Sequence, residues 1–260
     1  MANNHCNICG KNMKPSESTE LLDGFICDEC KEKLSPWFKE FDTAEVDEIH
    51  QQIRGRERNQ NEIRNFHPTR KFGEKPMLVI DDDAKTFVVT DSYDLVKANP
   101  DIIRLEDVLD CGFFVDDNRE KLDNGSFLYT YNFVLDIDLY HDYLDKIRMY
   151  LNSQPLELES DKRSFLGFGK FDPSKDVNYH YYQAEGWFLS DILNDKDKPF
   201  DVDNDPHRFD VKPGEFNTNG SPSIHVEHDV NEGDVVNCPW CGCKVKVTDT
   251  FRCPNCGGPL

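Results

Sequence analysis

The sequence predicts an α+β chain in which a central, mostly antiparallel β domain with helices is flanked by two small cysteine-held modules. Three observations carry that prediction. Cysteines gather in CxxC pairs at both ends, apolar periodicity changes from helical to alternating near residue 67, and an alternating aromatic and aliphatic run fills Phe127 to Leu139.

The cysteines come first. Ten are present, and eight of them form four CxxC pairs. Cys6, Cys9, Cys27 and Cys30 follow the pattern C-x2-C-x17-C-x2-C, and Cys238, Cys241, Cys253 and Cys256 follow C-x2-C-x11-C-x2-C. Four thiolates at such spacings make a closed tetrahedral zinc site, with no open position for water or substrate. Two structural zinc ions are therefore expected, and no catalytic residue. MANNHCNICG has no apolar run and no later stretch approaches a membrane span, so a soluble, cytoplasmic chain is expected, whose reducing surroundings favour metal over disulfide. The net charge of -20 argues against a broad phosphate-binding surface.

The N-terminal zinc module is read over residues 1–40. Gly10 follows the first knuckle, where φ > 0 lets amides turn toward sulfur. ICDECKEKL reads instead as the start of a short helix, so a hairpin knuckle and a helical knuckle suggest a treble-clef arrangement. DGFICDEC with CNICGK resembles the zinc-binding domain of Clp-type unfoldases, over about thirty residues and with no ATPase motif following. A connecting helix is expected over 41–66, starting near Thr43 with Asp42 and Glu45 at capping-box spacing. Val46, Ile49, Ile53, Ile63 and Phe66 fall on helical spacing, but Gly55 and the polar run Arg56 to Asn61 break the stripe. The middle of the helix, including Arg54, Arg56 and Arg58, is thus expected to face solvent, as is Arg64.

The central domain is read over 67–195. LVIDDDAKTFVV predicts a hairpin, with strands at Met77 to Ile80 and Thr86 to Thr90 around an acidic turn. Strands are expected at Ile102 to Leu105 and Phe113 to Asp116, separated by EDVLDCG, where Cys111 reads as a small buried side chain. Phe127, Tyr129, Tyr131, Phe133, Leu135, Ile137 and Leu139 share one strand face, read as core rather than a base-stacking platform. DYLDKIRMYLN is expected to be a helix through Leu144, Ile147 and Leu151. Strands closed by such a helix resemble a pleckstrin-homology-like or GRAM-like barrel in topology, without the Lys and Arg cluster of a phosphoinositide site. Residues 161–175 read as a loop whose GFGKF lacks phosphate-loop spacing, and Asn178 to Asn194 as a helix turning Tyr181, Ala184, Phe188 and Ile192 inward.

An acidic, loosely packed linker is expected over 196–233. Its Asp201, Asp203 and Asp205 imitate a calcium loop until Pro206 and Lys212 break the pattern. His225, Glu227 and His228 do not match H-E-x-x-H and sit in strand-like alternation. Residues 234–260 read as a zinc ribbon with CPxCG knuckles and strands at Lys244 to Val247 and Thr250 to Arg252. Cys243 is spare there, able to exchange with Cys241.

CNICGK, LLDGFICDECKEKLSPWF, RNFHPTRKFG, MLVIDDDAKTFVVT, NPDIIRLEDVLDCGFFVDDNRE and CPWCG with CPNCGGPL together resemble uncharacterised bacterial proteins containing the zinc-ribbon domain of unknown function catalogued as 4428. The resemblance implies the domain plan and the metal ligands, and no activity. The expected function is a zinc-binding adaptor that presents surfaces to a protein partner. The alternative is a nucleic-acid-associated factor using the zinc ribbon and the Arg-rich helix, or an acidic DNA mimic.

Overall fold

The computed structural model describes residues 4–160, 171–195, 210–212, 215–218, 233, 235–237, 243–248 and 254. Two hairpins open the chain: β1 (Asn4–His5) pairs with β2 (Asn12–Met13), and β3 (Ser18–Glu20) with β4 (Phe25–Cys27). The single-turn α1 (Asp28–Lys31) starts directly after β4.

The long helix α2 (Val46–Glu62) runs on into a 3-10 turn, Ile63–Asn65. It begins later than the Asp42 and Glu45 box implies. The N–H of Glu45 donates to Glu48 Oε2 at 2.9 Å, and that of Val46 to Asp23 Oδ1 at 2.8 Å. A carboxylate from the N-terminal module thus meets the orphan amide and the positive end of the helix dipole. The middle of α2 is not solvated either. Gln52, Gly55, Arg56 and Asn59 are buried, because the 99–101 segment supplies hydrogen-bond partners that make polar burial affordable.

Two antiparallel sheets make the central body. In the first, β5 (Arg70–Phe72), β6 (Met77–Asp81), β7 (Thr86–Thr90) and β8 (Ile103–Arg104) follow one another in order, with α3 (Leu95–Ala98) between the last two. The acidic hairpin turn is as expected. Asp81 accepts the N–H groups of His67 and Ala84, and Lys85 takes the left-handed φ of 56°.

In the second sheet, β10 (Phe127–Leu139) pairs along one whole edge with β9 (Val108–Lys121). Its other edge is shared end to end by β11 (Lys146–Tyr150) and β12 (Leu156–Glu159). Two expectations fail here. The Ile102 to Leu105 piece is β8 of the first sheet as read, but Phe113 to Asp116 is only the middle of the much longer β9, which also takes in VLDCG, and DYLDKIRMYLN supplies a strand rather than a helix. Ile147 and Met149 point inward from β11 opposite Ile137 and Leu135, so alternation overrides the helical spacing. With that helix gone, the closing element on which the barrel resemblance rested is absent from 142–152.

The helix that covers the second sheet is α4 (Val177–Asn194), capped by Asp176, which accepts from the N–H groups of Asn178 and Tyr179. Its buried face is Tyr182, Glu185, Gly186, Leu189 and Leu193, with Tyr179 and Tyr181. Tyr181 is inside as expected, Phe188 and Ile192 are half-buried, and Ala184 is exposed. Gly186 sets the face: a Cβ there would stand 2.1 Å from the Phe113 ring. The bare backbone is what lets the helix lie on β9.

One core joins the inward faces of both sheets to α4, with Phe72, Phe87, Phe133, Leu135 and Leu189 fully buried. On the other face of the first sheet, Met77, Val79 and Val88 are covered by Ile63, Phe66, Leu95 and Phe216. Phe216 falls in the stretch expected to be a loose linker. Its neighbours are anchored: Val211 N–H donates to Thr69 O at 2.8 Å, Leu95 N–H to Asn217 O at 3.0 Å, and Lys71 pairs with Glu215. Near the C-terminus β13 (Val235–Asn237) pairs with β14 (Lys244–Lys246).

Candidate metal centre

The first hairpin positions Cys6 and Cys9. Gly10, at φ 75°, donates its N–H to Cys6 O at 2.8 Å, while Cys6 N–H donates to Lys11 O at 2.9 Å. These bonds close the knuckle. The second hairpin ends at Cys27, and the turn of α1 lifts Cys30 beside it. Asn7 ties the two hairpins together. Its N–H donates to Phe25 O at 2.8 Å and its Oδ1 accepts the Phe25 N–H at 2.9 Å.

The four sulfurs of Cys6, Cys9, Cys27 and Cys30 lie within 4.8 Å of one another. A tetrahedral zinc with Zn–S bonds of about 2.3 Å holds its sulfurs about 3.8 Å apart. Cys9 Sγ and Cys27 Sγ are separated by 3.8 Å. The donor set therefore fits zinc in number, chemistry and spacing. Cys6, Cys27 and Cys30 are buried and Cys9 is exposed.

The electrostatics favour thiolate where the amides converge. Burial raises the Cys6 thiol, but N–H groups of Cys9, Cys27 and Ile8 outweigh it and bring its pKa down to about 7. The Cys27 N–H stands 3.4 Å from Cys6 Sγ. Burial keeps the Cys27 and Cys30 thiols above their ordinary value, Cys30 further raised by the neighbouring sulfurs. A bound dication would override these differences, since coordinated thiols lose their protons outright.

Around the cysteines Met13, Leu21, Ile26 and Leu34 form a small core completed by Ala44 and Ile49. That core is not self-sufficient: Ile49 comes from α2, with Val46 and Ile53 packed beside it.

The other expected ligands, Cys238, Cys241, Cys253 and Cys256, lie outside the described residues, as do GFGK of the loop, the Asp201, Asp203 and Asp205 run, and His225, Glu227 and His228. The β14 strand falls within Lys244 to Val247 as read, but pairs with Val235–Asn237; Thr250 to Arg252 are outside the described residues. Cys243 is exposed. Cys111 is buried far along the chain from the cluster, its backbone held by Asn194 and Ser190 and its thiol pushed up to about 12 by burial.

Sequence reasoning misses one polar cluster. Asp101, 2 % exposed, accepts from Ser35 Oγ at 2.6 Å, Arg56 Nη1 at 2.8 Å and Tyr143 Oη at 2.8 Å. Its members are scattered over more than a hundred positions, and the one local signal is Gly55, where a Cβ would stand 2.8 Å from the Tyr143 ring.

Among the described residues no helix is long and apolar enough to cross a membrane. No curated protein and no solved structure matches the chain. Its N-terminal segment, residues 4–52, which holds the four cysteines and the first two turns of α2, matches the family described as a domain of unknown function (DUF4428).

Proposed function

We propose that this chain is a zinc-stapled adaptor, cytoplasmic and without a catalytic metal, whose modules hold surfaces for a protein partner. The observation that carries the reading is the closed set of four cysteines: four thiolates complete the coordination of zinc and leave no position for water or substrate. The zinc would keep a segment folded that is too small to bury a sufficient core alone. Two hairpins followed by a short helix support naming that segment a treble clef. The second set, Cys238, Cys241, Cys253 and Cys256, is proposed as a ribbon with its own structural zinc, on the strength of its spacing. Two antiparallel sheets followed by α4 keep a pleckstrin-homology-like order of elements in view, with α4 in the closing place.

The nucleic-acid alternative has less support. Arg56 is spent on Asp101, and the exposed side of α2 mixes Arg54 and Arg58 with Glu57 and Glu62. Along α2 no stripe of arginines remains to neutralise phosphates. Purified protein with its zinc retained should capture a specific protein partner and lose it when Cys27→Ser breaks the first module. Absence of any partner in that comparison, together with a salt-sensitive gel shift of DNA or RNA, would replace the adaptor with the alternative.

A further inference from the structure

We infer that zinc occupancy at the N-terminal cysteines is coupled to the central domain through a polar latch, in which Ser35 and α2 close on the buried carboxylate of Asp101. The inference rests on reading Cys6, Cys9, Cys27 and Cys30 as a zinc site.

The latch begins at the edge of the metal module. Leu34 is buried in the cysteine core, and the next residue, Ser35, leaves it. Ser35 uses every polar atom it can turn inward: its N–H donates to Gln52 Oε1 at 2.9 Å, its hydroxyl donates to Asp101 Oδ2 at 2.6 Å and accepts the Trp37 N–H at 3.2 Å. Trp37 then packs on the core shared by the two sheets. The central domain supplies the opposite side. Asp101 precedes β8, and Tyr143, which donates to its Oδ1, lies between β10 and β11. Arg56 completes the carboxylate and also donates to Asn99 O, while Asn59 donates to Pro100 O and accepts the Ile102 N–H.

The helix α2 therefore has two grips. Its first turns are held by the metal module through Asp23 and Ile49, and its later turns by the 99–102 segment. A buried carboxylate is tolerated only while its donors are in place. Loss of zinc unfolds the residues that carry Asp23 and position Ser35, so Asp101 loses a donor and α2 its cap. Coupling of this kind is reciprocal: what zinc does for the latch, the latch does for zinc.

Hydrogen exchange read by mass spectrometry on the full chain tests both directions, with EDTA as the only added reagent. Stripping zinc should raise exchange not only over 4–34 but also over 46–62 and 99–104, by roughly tenfold in the latter two. Cys27→Ser, which breaks only the first cysteine set, should reproduce that pattern. In the reverse direction, Ser35→Ala and the isosteric Asp101→Asn should each lower the EDTA concentration at which residues 4–34 lose protection, by roughly fivefold. Ser35→Ala removes one hydroxyl and leaves Arg56 and Tyr143 on Asp101, so a folded variant is retained even if Asp101→Asn misfolds. Exchange that rises only within 4–34, or an unchanged EDTA midpoint in Ser35→Ala, overturns the coupling while leaving the zinc site standing. No response of 4–34 to EDTA overturns both.

Discussion

The N-terminal module and the central body solve the same problem with different materials. The body buries Phe72, Phe87, Phe133 and Leu135 completely in one continuous core between two sheets and α4. The module has Leu21, Ile26 and Leu34 around four sulfurs and must borrow Ile49 from α2. Where apolar burial runs short, a metal can make up the difference. The two regions should therefore fail differently.

The largest expected effect is on the module. Cys30→Ser removes one of four ligands, and since structural zinc supplies apparent free energies of about 10 kcal/mol or more, residues 4–34 should lose their amide dispersion in NMR spectra. Phe133→Ala should act on the body instead, costing about 3–5 kcal/mol in urea unfolding while zinc content stays at the wild-type value. Reversal of that pattern, with Phe133→Ala releasing zinc and Cys30→Ser sparing the module, would erase the distinction.

Two smaller changes sharpen it at the helices. Gly186→Ala forces a methyl against Phe113, an overpacking expected to cost about 1–3 kcal/mol and to show as a lowered melting temperature. Asp23→Ala removes the cap that the module lends to α2, for about 1 kcal/mol by the same measurement. Neither should change the number of bound metal ions.

The parts legible in the sequence are those whose signal is local. The CxxC pairs bring Cys6, Cys9, Cys27 and Cys30 together as spaced, and the alternation of Met77 to Thr90 and of Phe127 to Leu139 gives strands where expected. Reading fails where one pattern fits two periods. Leu144, Ile147 and Leu151 stand at helical spacing, but Ile147, Met149 and Leu151 alternate, and only the pairing with β10 decides between them. It fails also where burial is polar. A stripe of apolar residues cannot report that Gln52, Arg56 and Asn59 face inward, because their partners, Ser35 and Asn99 to Asp101, lie far away in the chain. At Gly186 the residue that fixes the buried face of α4 has no side chain for hydropathy to weigh.

The central claim is that the N-terminal cysteines hold a structural zinc ion. Its most direct test is the metal content of the 260-residue chain, measured by atomic emission beside Cys6→Ser and Cys30→Ser variants. The account predicts that each variant carries about one zinc fewer per chain than the wild type. Equal zinc in all three proteins would contradict it.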